Sequence, residues 1–413
     1  MCAGTTAYER AIGVIMKGFG FGIVAAASAF VVVCGGADAV GHKPVPTYTI
    51  NLDAAPEHRY DHIVGDLSNG FNATVWGFWN KYFANDKILT DVLFGISDKR
   101  GDEVPEMQAE IEGLAAASGL PLKFVKSIQM LYELQTLMIP IVNFTKKKTD
   151  AIPAGFEALA RIPWRGPGCT GIIAKCADGT VYHARNLDFA PLDVMSKLVY
   201  VGIFTKGGKE VFRSQMVAGY TMVVTGARFG SNGYAIERNT RYTDHWGGNL
   251  QMLEQLFKGV PLNGWSLRKI LEDTPDYDSA VSKIRSVEYA STEYAIVSGV
   301  KKGTIISRAP KSVVFTQTLG EHNFEERDDY IIMTNFDFFH GDIREWFDPT
   351  GHGGFGKPVR RVAAQKILNA TSPLTQAVLF DAINAQYVIA DTVFQAIINV
   401  EKSIWNVSQP ILS

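Results

Sequence analysis

The pattern of apolar residues changes kind at Cys169, and that change constrains the fold more than any other feature. Upstream, from about Arg59 to Phe144, apolar residues recur at spacings of three and four. Residues 107–117 and 122–137 are the clearest cases, and the spacing predicts helices. Downstream come short runs rich in β-branched residues, bounded by Gly, Asp and Asn, which predict strands. Strands are expected at 169–177, 180–189, 198–204, 216–225, 294–298, 303–307 and 330–334, with helices at 249–257, 266–271, 277–286 and 359–368. One further strand, 48–53, precedes the helical part. Pro140, a Lys146–Asp150 charge run, Pro153, Pro163 and Pro167 mark the stretch between the two halves. That stretch reads as an exposed connector, the natural place for a chain break. The fold class is α+β.

The first downstream strands carry the chemistry. They are separated by Asp178-Gly179, a strong signal for a two-residue hairpin loop. With those two residues in the loop, Ala177 faces Thr180, and counting outward Cys169 faces Asp188, roughly 5 Å apart at Cβ. Arg185 then falls on the opposite face, and only a bulge would bring it to Cys169. His183 would face Ala174, also away from Cys169, which argues against a papain-like cysteine–histidine protease.

The chain has 413 residues, 46% hydrophobic and 20% charged, with a formal net charge of −2. That balance gives no basic stripe for nucleic acid. Arg10 and Lys17 precede an apolar stretch, 18–34, that ends before Ala37-Asp38-Ala39. This predicts a secretory signal peptide over residues 1–39, or an anchor if it is kept, and a lumenal body destined for the lysosome or secretion. Four glycosylation sequons, at Asn72, Asn143, Asn369 and Asn406, fit that address. Cys2 and Cys34 leave with the leader, so the mature chain holds Cys169 and Cys176. Their odd spacing sends the two side chains to opposite faces of a strand, against a disulfide. The eight histidines form no metal-ligand spacing, so no metal is expected. The glycines from Gly351 to Gly356 mimic a phosphate loop, but Pro358 stands where the metal-binding hydroxyl belongs. No cofactor is implied.

The run Cys169-Thr170-Gly171-Ile172-Ile173-Ala174, followed by Asp178-Gly179 and by His183-Ala184-Arg185-Asn186-Leu187-Asp188-Phe189, resembles the catalytic opening of the acid ceramidase and N-acylethanolamine acid amidase family. These belong to the N-terminal nucleophile hydrolases. The strand at 48–53, Tyr132-Glu133-Leu134, Gly219-Tyr220, Thr225-Gly226, Glu237-Arg238, Thr334-Asn335-Phe336-Asp337 and Arg360-Arg361 extend the resemblance in the same order. It implies an αββα sandwich preceded by a mostly helical α-subunit segment. A precursor would cut itself between Gly168 and Cys169 into an α chain (40–168) and a catalytic β chain (169–413) that stay associated. Cys169 would then supply both the thiol nucleophile and, through its new amine, the base. By the same resemblance Asp188 orients that amine, Arg185 stabilises the thiolate or the scissile carbonyl, and Asn335 serves the oxyanion. Glu237 assists self-cleavage and Arg360 lines the site, with Arg238 beside Glu237. The implied substrate is a lipid amide, a ceramide or an N-acylethanolamine, reached through transient contact with a membrane surface. The apolar stretch 128–142 is a candidate acyl groove or plain core. A non-catalytic lipid carrier of the same fold is the alternative.

Overall fold

A strand buried on both faces reads as an unbroken apolar run, and the run that opens with Cys169 sits at the centre of such a sandwich. The computed structural model describes residues 41–67, 70–82, 84, 87–98, 100, 104–138, 168–189, 192–242, 246–321, 327–340, 360–385, 388–389 and 392–411. The leader, the connector with Asn143, and the glycine-rich loop at 351–356 lie outside these residues. In chain order come β1 (His42–Pro44), β2 (Thr47–Asn51), α1 (Asp61–Leu67), α2 (Phe71–Tyr82), α3 (Lys87–Ser97), α4 (Pro105–Ser118) and α5 (Leu122–Met138). Then follow β3 (Cys169–Lys175), β4 (Val181–Asp188), α6 (Leu192–Met195), β5 (Val199–Lys206), β6 (Lys209–Val217), β7 (Thr225–Arg228), β8 (Tyr234–Thr240), α7 (Trp246–Phe257), α8 (Asn263–Asp273) and α9 (Tyr277–Ser286). The last part runs β9 (Glu293–Gly299), β10 (Lys302–Ala309), β11 (Ser312–Thr318), β12 (Tyr330–Met333), α10 (Arg360–Ala370), α11 (Gln376–Ile383), β13 (Thr392–Asn399) and β14 (Ile404–Pro410).

The strands form a six-stranded sheet, ordered β1-β14-β13-β4-β3-β12, and an eight-stranded sheet, ordered β11-β10-β9-β8-β7-β6-β5-β2. Side-chain alternation stacks them. Ile173, Ile331 and Met333 point inward against Tyr294, Ile296 and Ile305 of the larger sheet. Ile172 and Ala174 point outward against Ala364, Leu368 and Leu379 of α10 and α11. On the far side, Ile236 and Val297 share a core with Leu271 and Ile284 of α8 and α9. The layers are helix, sheet, sheet, helix: the expected αββα sandwich.

The segment before Cys169 is woven into both sheets. β1 pairs antiparallel with β14, and β2 pairs parallel with β5. The expected strand at 216–225 is corrected: β6 ends at Val217, β7 begins at Thr225, and Gly219 between them takes a φ of +92° that breaks an extended run. In α5, Ile128, Met130 and Leu131 are buried as core. No helix among the described residues is long and apolar enough to cross a membrane. Of the sequons, Asn406 is exposed on β14, the Asn72 amide donates to the Ser118 carbonyl, and Asn369 accepts from the Tyr330 hydroxyl.

The hairpin register also differs from the expectation, by one residue. Cys176 N–H donates to Thr180 O (2.9 Å), and Gly179 N–H donates to Cys176 O (2.9 Å) at a φ of +77°. Asp178 accepts from both the Thr180 amide (2.9 Å) and its hydroxyl (2.7 Å). The loop therefore has three residues with glycine in the left-handed position, a standard alternative to the two-residue turn. Cys169 faces Leu187, Gly171 faces Arg185, and Ile173 faces His183. A one-residue slip moves every side chain to the other face. Cys169, Arg185 and His183 thus share the face between the sheets, and Asp188 shares the helix-facing side with Thr170. The expected Cys169–Asp188 pairing is overturned, and no bulge is needed to bring Arg185 to the cysteine.

Candidate active site

Cys169, the first residue of β3, is fully buried. Its sulfur lies 3.6 Å from Arg185 Nη2 and 3.6 Å from the Tyr132 hydroxyl. Its N–H donates to Asn335 Oδ1 (2.8 Å), and its carbonyl accepts from Arg360 Nη1 (2.6 Å). The preceding Gly168 carbonyl accepts from the Asp188 amide at 2.9 Å. Every polar atom of the Gly168–Cys169 junction that these bonds involve is therefore held by a named group.

Each group is fixed in turn. Arg360 Nη2 donates to Asn335 Oδ1 (2.9 Å), and Asn335 Nδ2 donates to Thr240 O (2.8 Å). Two donors on one oxygen fix the orientation of this amide. Asn335 thus presents its acceptor to the cysteine, and its donor is engaged elsewhere. Thr392 donates to Asp188 Oδ1 (2.6 Å), while Asp188 Oδ2 lies 3.6 Å from Arg360 Nη1. The same Oδ2 would stand 2.9 Å from a Cβ placed on Gly168, so the carboxylate lies against that glycine.

Behind the sulfur, Arg185 Nη1 donates to Val224 O (2.8 Å) and sits 3.9 Å from Glu237 Oε1. Glu237 Oε2 lies 2.8 Å from His183 Nε2. A Cβ at position 171 would come within 2.6 Å of Glu237 Oε2, so Gly171 makes room for the carboxylate. Arg238 projects from the other face of β8. Its Nη2 donates to Glu133 (2.8 Å), its Nε donates to Glu293 (3.0 Å), and its guanidinium stacks 4.3 Å from the Tyr132 ring. Burial pushes the Cys169 thiol up to about 11; Arg185 pulls it down, while Asp188 and Glu237 add to the rise. The sulfur is accordingly a protonated thiol with a cation at its side.

The structure brings the six residues expected at the site, Cys169, Arg185, Asp188, Glu237, Asn335 and Arg360, into one connected and buried network. Sequence reasoning missed the placement of Tyr132, though it singled out the Tyr132-Glu133-Leu134 motif, and it missed Thr392, which no signal marks. His183 was set aside on a register that does not hold. It is on the face of Cys169, but its ring nitrogens are engaged by Glu237 and by Ser298 (3.1 Å). Cys169 and Cys176 are both free thiols. Among the described residues no group of three or more His, Cys, Asp or Glu side chains is placed to hold a metal.

Residues 43–88 match the family model of the beta subunit of N-acylethanolamine-hydrolyzing acid amidase, a stretch N-terminal to Cys169. The chain is 27% identical to the N-acylethanolamine-hydrolyzing acid amidase of Caenorhabditis elegans over 74% of this chain and 77% of that one. It is 24% identical to the acid ceramidase of Mus musculus over 87% of this chain and 84% of that one. A solved structure, the Caenorhabditis elegans N-acylethanolamine-hydrolyzing acid amidase (NAAA) ortholog, aligns with a TM-score of 0.49 at 24% identity, covering 59% of this chain and 100% of that one.

Proposed function

We propose that this chain, similar to the acid ceramidases and N-acylethanolamine-hydrolyzing acid amidases, is an amide hydrolase of that family that cuts itself before Cys169 and then hydrolyses fatty-acyl amides with the new N-terminal cysteine. The observation that carries the proposal is the set of bonds on the Gly168–Cys169 junction. The Asp188 amide already bonds the Gly168 carbonyl, so it donates to the oxyanion that forms when Cys169 Sγ attacks that carbon. Asn335 and Arg360 hold the cysteine backbone on either side of its Cα. Attack transfers the acyl group from nitrogen to sulfur and the thiol proton to the departing amine. Water then cleaves the thioester, and residue 168 leaves as a carboxylate.

Cys169 thereafter carries a free amine next to its thiol, and an amine in that position is a base that needs no histidine. Departure of Gly168 leaves Asp188 and Arg360 facing the space in which a substrate amide would lie. Arg185 remains beside the sulfur to favour the thiolate as it develops. The substrates are fatty-acyl amides, N-acylethanolamines or ceramides, the classes in the names of the relatives. The two pieces stay together because buried pairs cross the cut. Glu110 binds Arg268, and Glu133 binds Arg238. The leader and sequons route the product to the lysosome or out of the cell.

The test is intact mass with N-terminal sequencing of the full chain and of Cys169→Ala, before and after incubation at mildly acidic pH. Two wild-type fragments, one beginning at Cys169, beside an intact variant support the proposal. A wild type that stays whole, or a variant that is cut at the same bond, overturns it.

A further inference from the structure

Between the sheets a row of buried polar groups leads away from Cys169 and ends on a histidine. Arg185 has two claimants, Cys169 Sγ at 3.6 Å and Glu237 Oε1 at 3.9 Å. The second contact is an ion pair without a hydrogen bond, so the guanidinium is shared between the carboxylate and the sulfur. The other carboxylate oxygen belongs to His183, whose Nε2 lies 2.8 Å away. His183 Nδ1 lies 3.1 Å from the Ser298 hydroxyl. His183, Glu237 and Arg185 are all 0% exposed.

We infer that His183 is a positioning residue for Cys169 that acts through Glu237: by holding one oxygen of the carboxylate it sets how much of the Arg185 charge is left for the sulfur. The inference rests on the self-cleavage reading above. Elements on every side of the ring define what it responds to. β3 and β13 place Ile173 and Ile398 beside it. β9 gives the Ser298 hydroxyl and β8 gives Glu237, with Arg185 and Cys169 further along the row. The Ser298 hydroxyl holds Nδ1 and so keeps Nε2 on the carboxylate. A carboxylate oxygen engaged by the ring leaves Glu237 a weaker claimant on Arg185. In a desolvated layer such charge–charge effects are strong.

The experiment follows the rate of self-cleavage of the full chain at one mildly acidic pH. It compares wild type, Cys169→Ala, His183→Gln and His183→Leu. Gln keeps a donor for Glu237 but takes no proton, whereas Leu removes the contact. His183→Leu is expected to slow cleavage by roughly tenfold to a hundredfold, as for other partners that orient a reacting group from behind. His183→Gln is expected to recover most of that rate, because it keeps the contact to Glu237. The inference is overturned if folded His183→Leu cleaves at the wild-type rate, or if folded His183→Gln is no faster than His183→Leu. Should His183→Leu fail to fold, His183→Phe, which fills the ring's space without a polar atom, takes its place. A wild type that never cleaves, or a Cys169→Ala that does, sinks the self-cleavage reading itself; wild-type behaviour of the His183 variants sinks this inference alone.

Discussion

Two of the buried arginine–carboxylate networks among the described residues differ in how completely they are satisfied. The first centres on Glu110 of α4. Its Oε1 accepts from Arg59 (2.8 Å) and Arg268 (2.7 Å), and its Oε2 accepts from Arg268. Arg59 spends its remaining donors on Glu106 and on the carbonyls of Ala54 and Leu52. None of these three residues has a buried side-chain nitrogen or oxygen without a partner. The second network centres on Cys169. Its contacts to the sulfur are long, the Arg185–Glu237 approach is 3.9 Å, and Arg185 Nε and Glu237 Oε1 make no hydrogen bond. A completed buried network holds the fold, whereas one left incomplete keeps capacity for groups that appear during reaction. Both networks join residues on either side of the connector.

The largest effect that separates them is chemical. Cys169→Ala is expected to abolish cleavage and amide hydrolysis, a loss of at least about 10³-fold, at a stability cost of only about 1 kcal/mol for the small buried sulfur. Mass and turnover measurements check the first part and calorimetry the second. Next comes the mirror experiment. Removing one partner of a buried pair strands the other charge, at a cost of roughly 3–5 kcal/mol. Glu110→Ala should therefore lower the unfolding free energy by that amount, read from denaturant unfolding, and the surviving folded protein should cleave at the wild-type rate. If Glu110→Ala instead slows cleavage without loss of stability, the division between a holding network and a reacting one is wrong.

The contrast also explains what the sequence disclosed. The helical first part and the strands β3, β4, β9 and β12 follow apolar periods, and they were legible. β8 was not, because its centre reads Glu237-Arg238-Asn239, a charged run that pattern alone assigns to the surface. Each of the three is buried: Glu237 is matched between the sheets, Arg238 on the outer face, and Asn239 by the carbonyls of Met333 and Thr334. Tertiary pairing made a strand where the local pattern opposed one. The candidate site residues were suggested by the resemblance to a family, while the face they occupy depended on the Asp178 side chain capping Thr180. No count of loop residues from the sequence reveals that bond.

Arg185→Lys sharpens the comparison within the second network. Lysine keeps the charge but cannot reach Val224 O, Glu237 and the sulfur at once from a planar fork. Cleavage should slow by about tenfold to a hundredfold, less than a lost oxyanion donor costs. Equal rates would mean that charge alone suffices and that the geometry around Glu237 is incidental. Alkylation by iodoacetamide reads the sulfur directly. A thiol pushed up to about 11 is protonated throughout the neutral and acid range, so its thiolate fraction rises about tenfold per pH unit below that value. Uncleaved Cys169 should thus react slowly at neutral pH and faster as pH climbs toward about 11. Cys176 is pushed up to about 11 as well, chiefly by burial, and serves as the internal reference. After cleavage Cys169 should outpace Cys176, because a new amine stands beside it and a neighbour has left. Parallel reactivity of the two thiols before and after the cut would remove the amine from the mechanism.

Tyr132→Phe carries the smallest effect and asks which network the tyrosine serves. Its hydroxyl has one proton and two acceptors within reach, Arg238 O at 3.0 Å and Cys169 Sγ at 3.6 Å. The shorter contact holds α5 on β8, and its loss should cost about 1 kcal/mol of stability. The longer contact gives little in the thiol state but strengthens as negative charge develops on sulfur, because bonds to ionised acceptors are shorter and stronger. Both cleavage and turnover should therefore fall by a few-fold, by roughly the worth of one such bond. The fall should appear in kcat, with KM unchanged, because the hydroxyl meets the sulfur and not the substrate. A variant that loses stability but keeps kcat would place Tyr132 with Glu110 among the residues that only hold. One that loses kcat at unchanged stability would place it wholly with Cys169.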